Sequence, residues 1–273
     1  MIDLAQVAKL EEARLAIGMA SVAVEHRALA GGMLARGEPG TWINTATGMG
    51  MNGPVSDEEI EEFIAWYESA GVEPRIEICP FADASLVGGL AARGFRLKQF
   101  ENVFFREAGE SVPPSPLGDG IEVGLLDPQD EKSVWEYAAA VARGFMPEGK
   151  DPDAGDVELT ARVVRQPAVL AFAAKAEGRI VGGGSIEIPA VGGPKAAALF
   201  ALAVLPSYRR RGVQQALIAA RLRAASDAGA TVVTISALPG VATERNARRM
   251  GFQVAYTKAV LIRPGAGLVA NRW

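Results

Sequence analysis

The chain has 273 residues, 49% hydrophobic and 22% charged, enough for about two domains with a real core. This excludes disorder, collagen and a disulfide scaffold: Cys79 is the only cysteine, and with His26 the only histidine no multi-histidine metal site is expected. Net charge is −4, but residues 1–110 hold 9 Lys+Arg against 17 Asp+Glu while 111–273 hold 19 against 15, so the second half suits an anionic ligand better.

Asp3, Lys9, Glu11, Glu12 and Arg14 fall where a signal peptide needs an unbroken apolar stretch. The longest apolar run, Ala196 to Leu205, has 10 residues, about half of a membrane span. A cytosolic chain with no membrane partner is the expectation.

Ser56 followed by Glu59 forms a capping box that predicts a helix start. Trp66, Tyr67 and Trp135 fall at helical spacing among apolar residues and are expected in the core, and Cys79 reads as an inert core thiol in an apolar strand. His26 is expected to be a surface or packing residue. Trp42 and the stretch Gly48-Met-Gly-Met-Asn-Gly53 read as a flexible apolar patch that could meet an acceptor or partner. Arg75 to Pro80 is a strand, Ala84 to Ala92 a helix, and a further strand ends at Val103-Phe-Phe-Arg106. The segment Ser111-Val-Pro-Pro-Ser-Pro-Leu-Gly-Asp-Gly120 has three prolines and two glycines and reads as a linker.

Beyond it, Ile121 to Leu126 reads as a strand, Asp130 to Phe145 and Asp156 to Gln166 as helices. Ala168 to Ala176 and Arg179 to Ile188 are strands joined by a tight Glu177-Gly178 turn. Lys195 to Leu205 is a buried strand. Val213, Ala216, Leu217, Ala220 and Ala224 then form the stripe of an amphipathic helix that Gly229 stops. Thr231 to Ser236, Thr243 to Met250 and Gln253 to Arg263 complete a strand, helix, strand series. The two halves end alike. Gly94-Phe95 leads in 12 residues to Arg106, as Gly251-Phe252 leads in 12 to Arg263, and Cys79 to Gly94 and Ser236 to Gly251 both span 15. A duplication with a period near 157 follows.

The chemistry concentrates in Leu205-Pro-Ser-Tyr-Arg-Arg-Arg-Gly-Val-Gln-Gln-Ala-Leu217, where a buried strand passes through a short loop into an amphipathic helix. The first N–H groups of a helix lack internal partners, and its dipole adds positive potential there. With Gly212 bare of side chain and Arg209, Arg210 and Arg211 around it, the loop should cradle a phosphate or pyrophosphate. It lacks the Gly-Lys-[Ser/Thr] ending of a P-loop and the three glycines of a dinucleotide fingerprint. The acidic balance argues against nucleic acid.

These residues resemble the acyl-coenzyme A signature of the GNAT acetyltransferases, [Gln/Arg]-x-x-Gly-x-[Gly/Ala], and Glu244-Arg-Asn-Ala-Arg-Arg-Met-Gly-Phe252 is similar to that family's second cofactor segment. The resemblance covers residues 121–263. It implies an α/β fold with a mixed, mostly antiparallel sheet flanked by helices, in two GNAT-like domains. Residues 1–110 would be a degenerate copy, 111–120 the linker and 121–273 the catalytic domain. It also implies an acetyl-coenzyme A-dependent N-acetyltransferase, monomer or homodimer, whose partner is a small-molecule or peptide amine. Leu202, Ala203 and Val204 would pair with the pantetheine arm, the amides of Arg210, Arg211, Gly212, Val213, Gln214 and Gln215 would hold the pyrophosphate, Arg209 takes the Gln/Arg position, and Asn246 would lie near the thiol end.

Two positions depart from the family pattern. Gln214 stands where Gly or Ala is preferred, and Ala247 replaces the tyrosine that in many members protonates the leaving thiolate. In the first half, Asp57, Glu58 and Glu59 in the first turn of a helix would repel a pyrophosphate, so that copy is not expected to bind coenzyme A. Glu187 is the candidate general base and Tyr256 a candidate acid; Glu148, Asp151, Asp153 and Glu158 are further carboxylates of the acceptor side. The second domain has no cysteine, so direct attack in a ternary complex is expected. The alternative is a non-catalytic acyl-coenzyme A-binding or interaction module; a larger acyl donor is a third possibility.

Overall fold

The computed structural model describes residues 3–147, 150–188 and 195–271. In chain order the first half holds α1 (Leu4–Val22), β1 (Glu25–Leu29), β2 (Gly32–Arg36), β3 (Thr45–Thr47) and α2 (Asp57–Glu68). β4 (Arg75–Ile78), α3 (Ala84–Ala92) and β5 (Arg96–Glu107) follow. The second half runs β6 (Ile121–Leu125), α4 (Glu131–Phe145), α5 (Ala154–Val164), β7 (Val169–Ala176), β8 (Arg179–Glu187) and β9 (Ala196–Val204). It ends with α6 (Val213–Asp227), β10 (Val232–Ala237), α7 (Ala242–Arg249) and β11 (Gln253–Ile262). The fold is mixed α/β, a mostly antiparallel sheet flanked by helices. Among the described residues, no helix is long and apolar enough to cross a membrane.

The chain forms two compact units, Met1–Val103 with Val254–Trp273, and Phe104–Gln253. This differs from a division at 111–120 in two respects: residues 104–120 fall in the second unit, and β11 belongs with the first. There it pairs antiparallel with β4, Val260 opposite Glu77 and Ile262 opposite Arg75. Backbone pairing, rather than chain order, decides where the last strand goes.

In the first unit the strands lie in the order β1-β2-β3-β4-β11-β5, with β3 and β4 parallel. Ala30 and Gly31, both at positive φ, make the two-residue turn that a right-twisted β1–β2 hairpin requires. Ser56 and Glu59 form the expected capping box at the start of α2. The core gathers Leu34, Ile60, Phe63, Tyr67, Ile76, Leu86, Leu90 and Phe95. Phe63 sets its ring edge-on to Tyr67 at 5.5 Å and stacks on Phe95 at 5.6 Å. The Tyr67 hydroxyl accepts from the Ala35 N–H at 3.2 Å and donates to the Ala35 carbonyl at 2.9 Å, which locks α2 onto β2. Burying each such side chain contributes about 1.5–3 kcal/mol.

Gly48 to Gly50 is buried and not a flexible patch. The Gly50 N–H donates to Ala30 at 2.9 Å, the Gly50 carbonyl accepts from Asp83 at 2.9 Å, and Met49 is in the core. Cys79 is buried, and burial pushes its thiol up to about 12, as an inert thiol requires. His26 is exposed.

In the second unit the order is β6-β7-β8-β9-β10, with the end of β5 beyond β10. Three successive glycines in β8 let helices approach both faces. A Cβ on Gly183 would lie 2.3 Å from the Tyr137 ring of α4, and one on Gly184 2.8 Å from the Arg221 guanidinium of α6. Trp135 is a correction: it is 43% exposed, with the Arg165 guanidinium 5.5 Å from its ring centroid, because the apolar stripe of α4 runs through Val134, Tyr137, Ala138 and Val141 instead. The Pro-rich segment 111–120 is packed rather than free. Its Gly118 N–H donates to the Arg211 carbonyl at 3.0 Å, and Arg106 donates to the Ser111 carbonyl at 3.1 Å.

Candidate acyl-donor site

β9 has two different neighbours. Toward β8 it is antiparallel, with Glu187 opposite Ala198, Ser185 opposite Phe200, Gly183 opposite Ala203 and Gly182 opposite Val204. One extra residue of β9 is inserted between the pairs at Ser185 and Gly183, a β-bulge with Ala201 at φ +50°. Toward β10 it is parallel, and that register runs only from Ala196–Val232 to Leu199–Ile235. β9 continues through Val204 past the last of these pairs. The bulge therefore coincides with the point where the parallel pair ends, and residues 200–204 offer an edge to which an extended ligand can add.

The strand then leads into a 3₁₀ turn, Pro206–Tyr208, and three exposed arginines. Arg210 at φ +63° and Gly212 at φ +76° turn the chain into α6. No side chain caps this helix and no acidic residue lies in its first turn, so the N–H groups of Val213, Gln214 and Gln215 present the positive end of the dipole uncompensated. Arg209 is committed to structure. Its Nε donates to the Val204 carbonyl at 3.0 Å and its Nη2 to the Gly144 carbonyl at 3.3 Å, which ties the loop to β9 and α4. Arg211 lies 5.3 Å from the Tyr208 ring centroid.

Gly212 also has a packing role that its sequence context does not show. A Cβ there would lie 2.0 Å from the Pro116 carbonyl oxygen, so the glycine makes room for the proline-rich segment. Leu202, Ala203 and Val204 are buried, Ala203 against α4, where a Cβ on Gly144 would lie 2.6 Å from it. Gln214 and Asn246 are brought together: the Asn246 amide donates to the Gln214 side-chain oxygen, and Gln214 donates to Thr243 at 3.4 Å. The larger Gln side chain thus ties the start of α6 to α7.

Glu187 sits partly buried at the end of β8, opposite Ala198 and one pair beyond Ser185–Phe200. Tyr256 belongs to the first unit, where it donates at 2.6 Å to Glu12, and burial, then the charges of Glu12 and Glu11, raises its pKa far above the usual phenol range. Ala247 is wholly buried in α7. On the acceptor-side stretch, Asp151 pairs with Arg143, Asp153 caps α5 by accepting from Asp156 at 3.0 Å, and Glu158 is exposed. Glu148 lies outside the described residues. Among the described residues, no group of three His, Cys, Asp or Glu could hold a metal ion.

In the first unit, α2 occupies the place after β3 that α6 occupies after β9. Its N-terminus is closed by the capping box and by Asp57, Glu58 and Glu59. Two residues escaped sequence reasoning. Pro116 carries no signal for its contact with Gly212, whereas Arg221 does: it follows Leu217 by one helical turn, a charge on an apolar stripe.

Residues 135–252 match the family model described as Acetyltransferase (GNAT) family. Among solved structures, a GCN5-related N-acetyltransferase from Kribbella flavida is similar at TM-score 0.67 and 17% identity, covering 94% of this chain and 97% of that one. A GCN5-related N-acetyltransferase from Sphaerobacter thermophilus is similar at TM-score 0.60 and 19% identity, over 83% of this chain and 75% of that one. A tandem GNAT protein from the clavulanic acid biosynthesis pathway is similar at TM-score 0.59 and 14% identity, over 86% of this chain and 80% of that one. No curated protein matches the sequence. At these identities the structural likenesses speak for the fold alone, while residues 135–252, the segment that bears the site, match the model of the GNAT acetyltransferase family.

Proposed function

We propose that the second unit binds acetyl-coenzyme A and transfers its acetyl group to an amine of a small molecule or peptide. The observation that carries the reading is the coincidence of the β9 bulge, the end of the β9–β10 register and an uncapped, acid-free helix start at Gly212. The residues fit the donor: an extended strand edge for a pantetheine arm, and helix amides with Arg210 and Arg211 for a pyrophosphate. Bound there, the donor supplies a thioester carbonyl open to attack.

The chain's own groups then bind and orient. Leu202, Ala203 and Val204 hold the arm by backbone pairing. Arg210, Arg211 and the amides of Gly212 through Gln215 hold the anion, Arg209 keeps the loop on the strand, and Asn246 with Gln214 lines the α7 side. A lysine-like amine, pKa near 10.4, must lose a proton before it attacks. Glu187 is the carboxylate assigned to take it, directly or through water. With Ala247 in place of a phenol, no side chain of α7 donates a proton at that position.

The test is calorimetric titration of acetyl-coenzyme A into the parent and into an Arg210→Glu/Arg211→Glu variant, whose exposed positions leave packing intact. Binding by the parent, weakened at least about 10-fold in the variant, supports the reading. No binding by the parent sinks it. Binding without turnover of any amine in a screen would favour the non-catalytic acyl-coenzyme A module, which the buried Ala247 recommends as the second reading.

A further inference from the structure

Arg221 is wholly buried on the face of the sheet that α6 covers. Its Nε donates to the Leu217 carbonyl at 2.9 Å, within its own helix. Its Nη1 reaches out of the helix to two strand carbonyls, Ser185 at 3.0 Å and Phe200 at 3.2 Å. Those two residues are the last pair before the β9 bulge. Among the described residues, Nη2 has no hydrogen-bond partner and no carboxylate lies within ion-pairing distance of the guanidinium. Gly184 is what admits it, since a Cβ there would lie 2.8 Å from Cζ.

An apolar side chain would fill this space more cheaply, because burying a cation without a counter-charge is strongly unfavourable. Burial does lower the guanidinium pKa, to about 10, which leaves it charged at neutral pH. What offsets the cost locally is the bulge. Carbonyls displaced from a ladder at a bulge need other donors, and Arg221 gives one to each strand. From the opposite face Tyr137 meets the Ser185 hydroxyl at 3.0 Å, so the same pair is pinned from both sides.

We propose that Arg221 is a positioning residue of the donor site: it fixes the bulged segment Phe200–Val204, and its fixed positive charge behind that segment polarises the carbonyl of an acyl donor lying along it. This rests on the acyl-donor reading above. A guanidinium seated there reinforces negative charge developing on the donor, at a site where Ala247 provides no acid.

The experiment uses the full-length chain with Arg221→Gln, which keeps donors but not charge, and Arg221→Lys, which keeps charge. Amide hydrogen exchange without ligand is measured first, with β7 amides as the internal reference. In Arg221→Gln the amides of Ala201 to Val204 are expected to exchange about 10-fold faster or more while β7 holds. Acetyl-coenzyme A labelled with ¹³C at the carbonyl is then bound to each protein. Affinity should fall about 10-fold in Arg221→Gln and the carbonyl resonance should move back toward its free position, with Arg221→Lys restoring most of that shift. If Arg221→Gln does not fold, Arg221→Lys carries both measurements: a resonance displaced as in the parent supports a charge role, and one at the free position overturns it. Unchanged bulge exchange and an unchanged resonance in Arg221→Gln overturn the role of Arg221 alone. A parent that does not bind acetyl-coenzyme A overturns the donor reading and this role with it.

Discussion

Arg106 donates from its guanidinium to the carbonyl of Met250, the residue that closes α7. The equivalent bond recurs 157 residues away at both ends: Arg263 donates to the carbonyl of Arg93, the residue that closes α3, at 3.0 Å. In each compact unit the arginine comes from the final strand of one sequence half and the helix from the other half. The duplication visible as matching offsets is thus expressed as a matching bond that satisfies a helix-end carbonyl.

The two arginines should differ in weight. Arg106 is buried, also donates to Ser111 and lies 6.0 Å from the Phe252 ring centroid, whereas the Arg263 side chain is 34% exposed. Arg106→Met is expected to cost about 2–4 kcal/mol in denaturant unfolding and Arg263→Met about 1. Equal losses would contradict this account.

Gly212 and Gly229 both sit at positive φ, but only the first has a neighbour in the way: Pro116 at 2.0 Å against open space. Gly229→Ala should cost about 1 kcal/mol, from backbone conformation alone. Gly212→Ala should cost about 2–4 kcal/mol, with weakened binding of acetyl-coenzyme A, since the proline-rich segment must shift. Thermal unfolding of the pair with and without ligand checks both.

Burial in the first unit, and then the neighbouring Glu77, raises the Glu101 carboxyl to about 7 from its ordinary 4.5, against the opposing charges of Lys258 and Arg75. The folded state therefore holds a proton that the unfolded chain releases. This contribution to stability is complete below about pH 4.5 and is lost as pH rises through about 7. Glu101→Gln should gain roughly 1–3 kcal/mol over the parent at pH 8 and flatten the fall between pH 5 and 8. A parent whose stability rises across that window would refute the assignment.

Tyr256→Phe separates a packing phenol from a catalytic one. The hydroxyl and the Lys258 ammonium, at 3.0 Å, share one oxygen of Glu12, whose other oxygen has no hydrogen-bond partner among the described residues. Removing the phenol should cost about 1–3 kcal/mol of stability. Turnover and its pH profile in any amine assay should stay unchanged; a shifted basic limb would restore Tyr256 as an acid.

The sequence by itself determined most of what is local. Apolar periodicity placed the helices and strands, the Pro/Gly density marked 111–120 as irregular, and the Arg-rich strand–loop–helix located the uncapped, acid-free helix start at Gly212. Each depends on short-range properties: side-chain alternation, φ restriction and unpaired helix-end amides. Tertiary structure decided where distant segments meet. It sent β11 and Tyr256 to the first unit, gave Gly212 its contact with Pro116, engaged Arg209 with two carbonyls, and seated Arg221 beneath a bulge. Strand pairing and the burial of a charge join residues tens to hundreds apart, and their free energy depends on partners that no local pattern specifies.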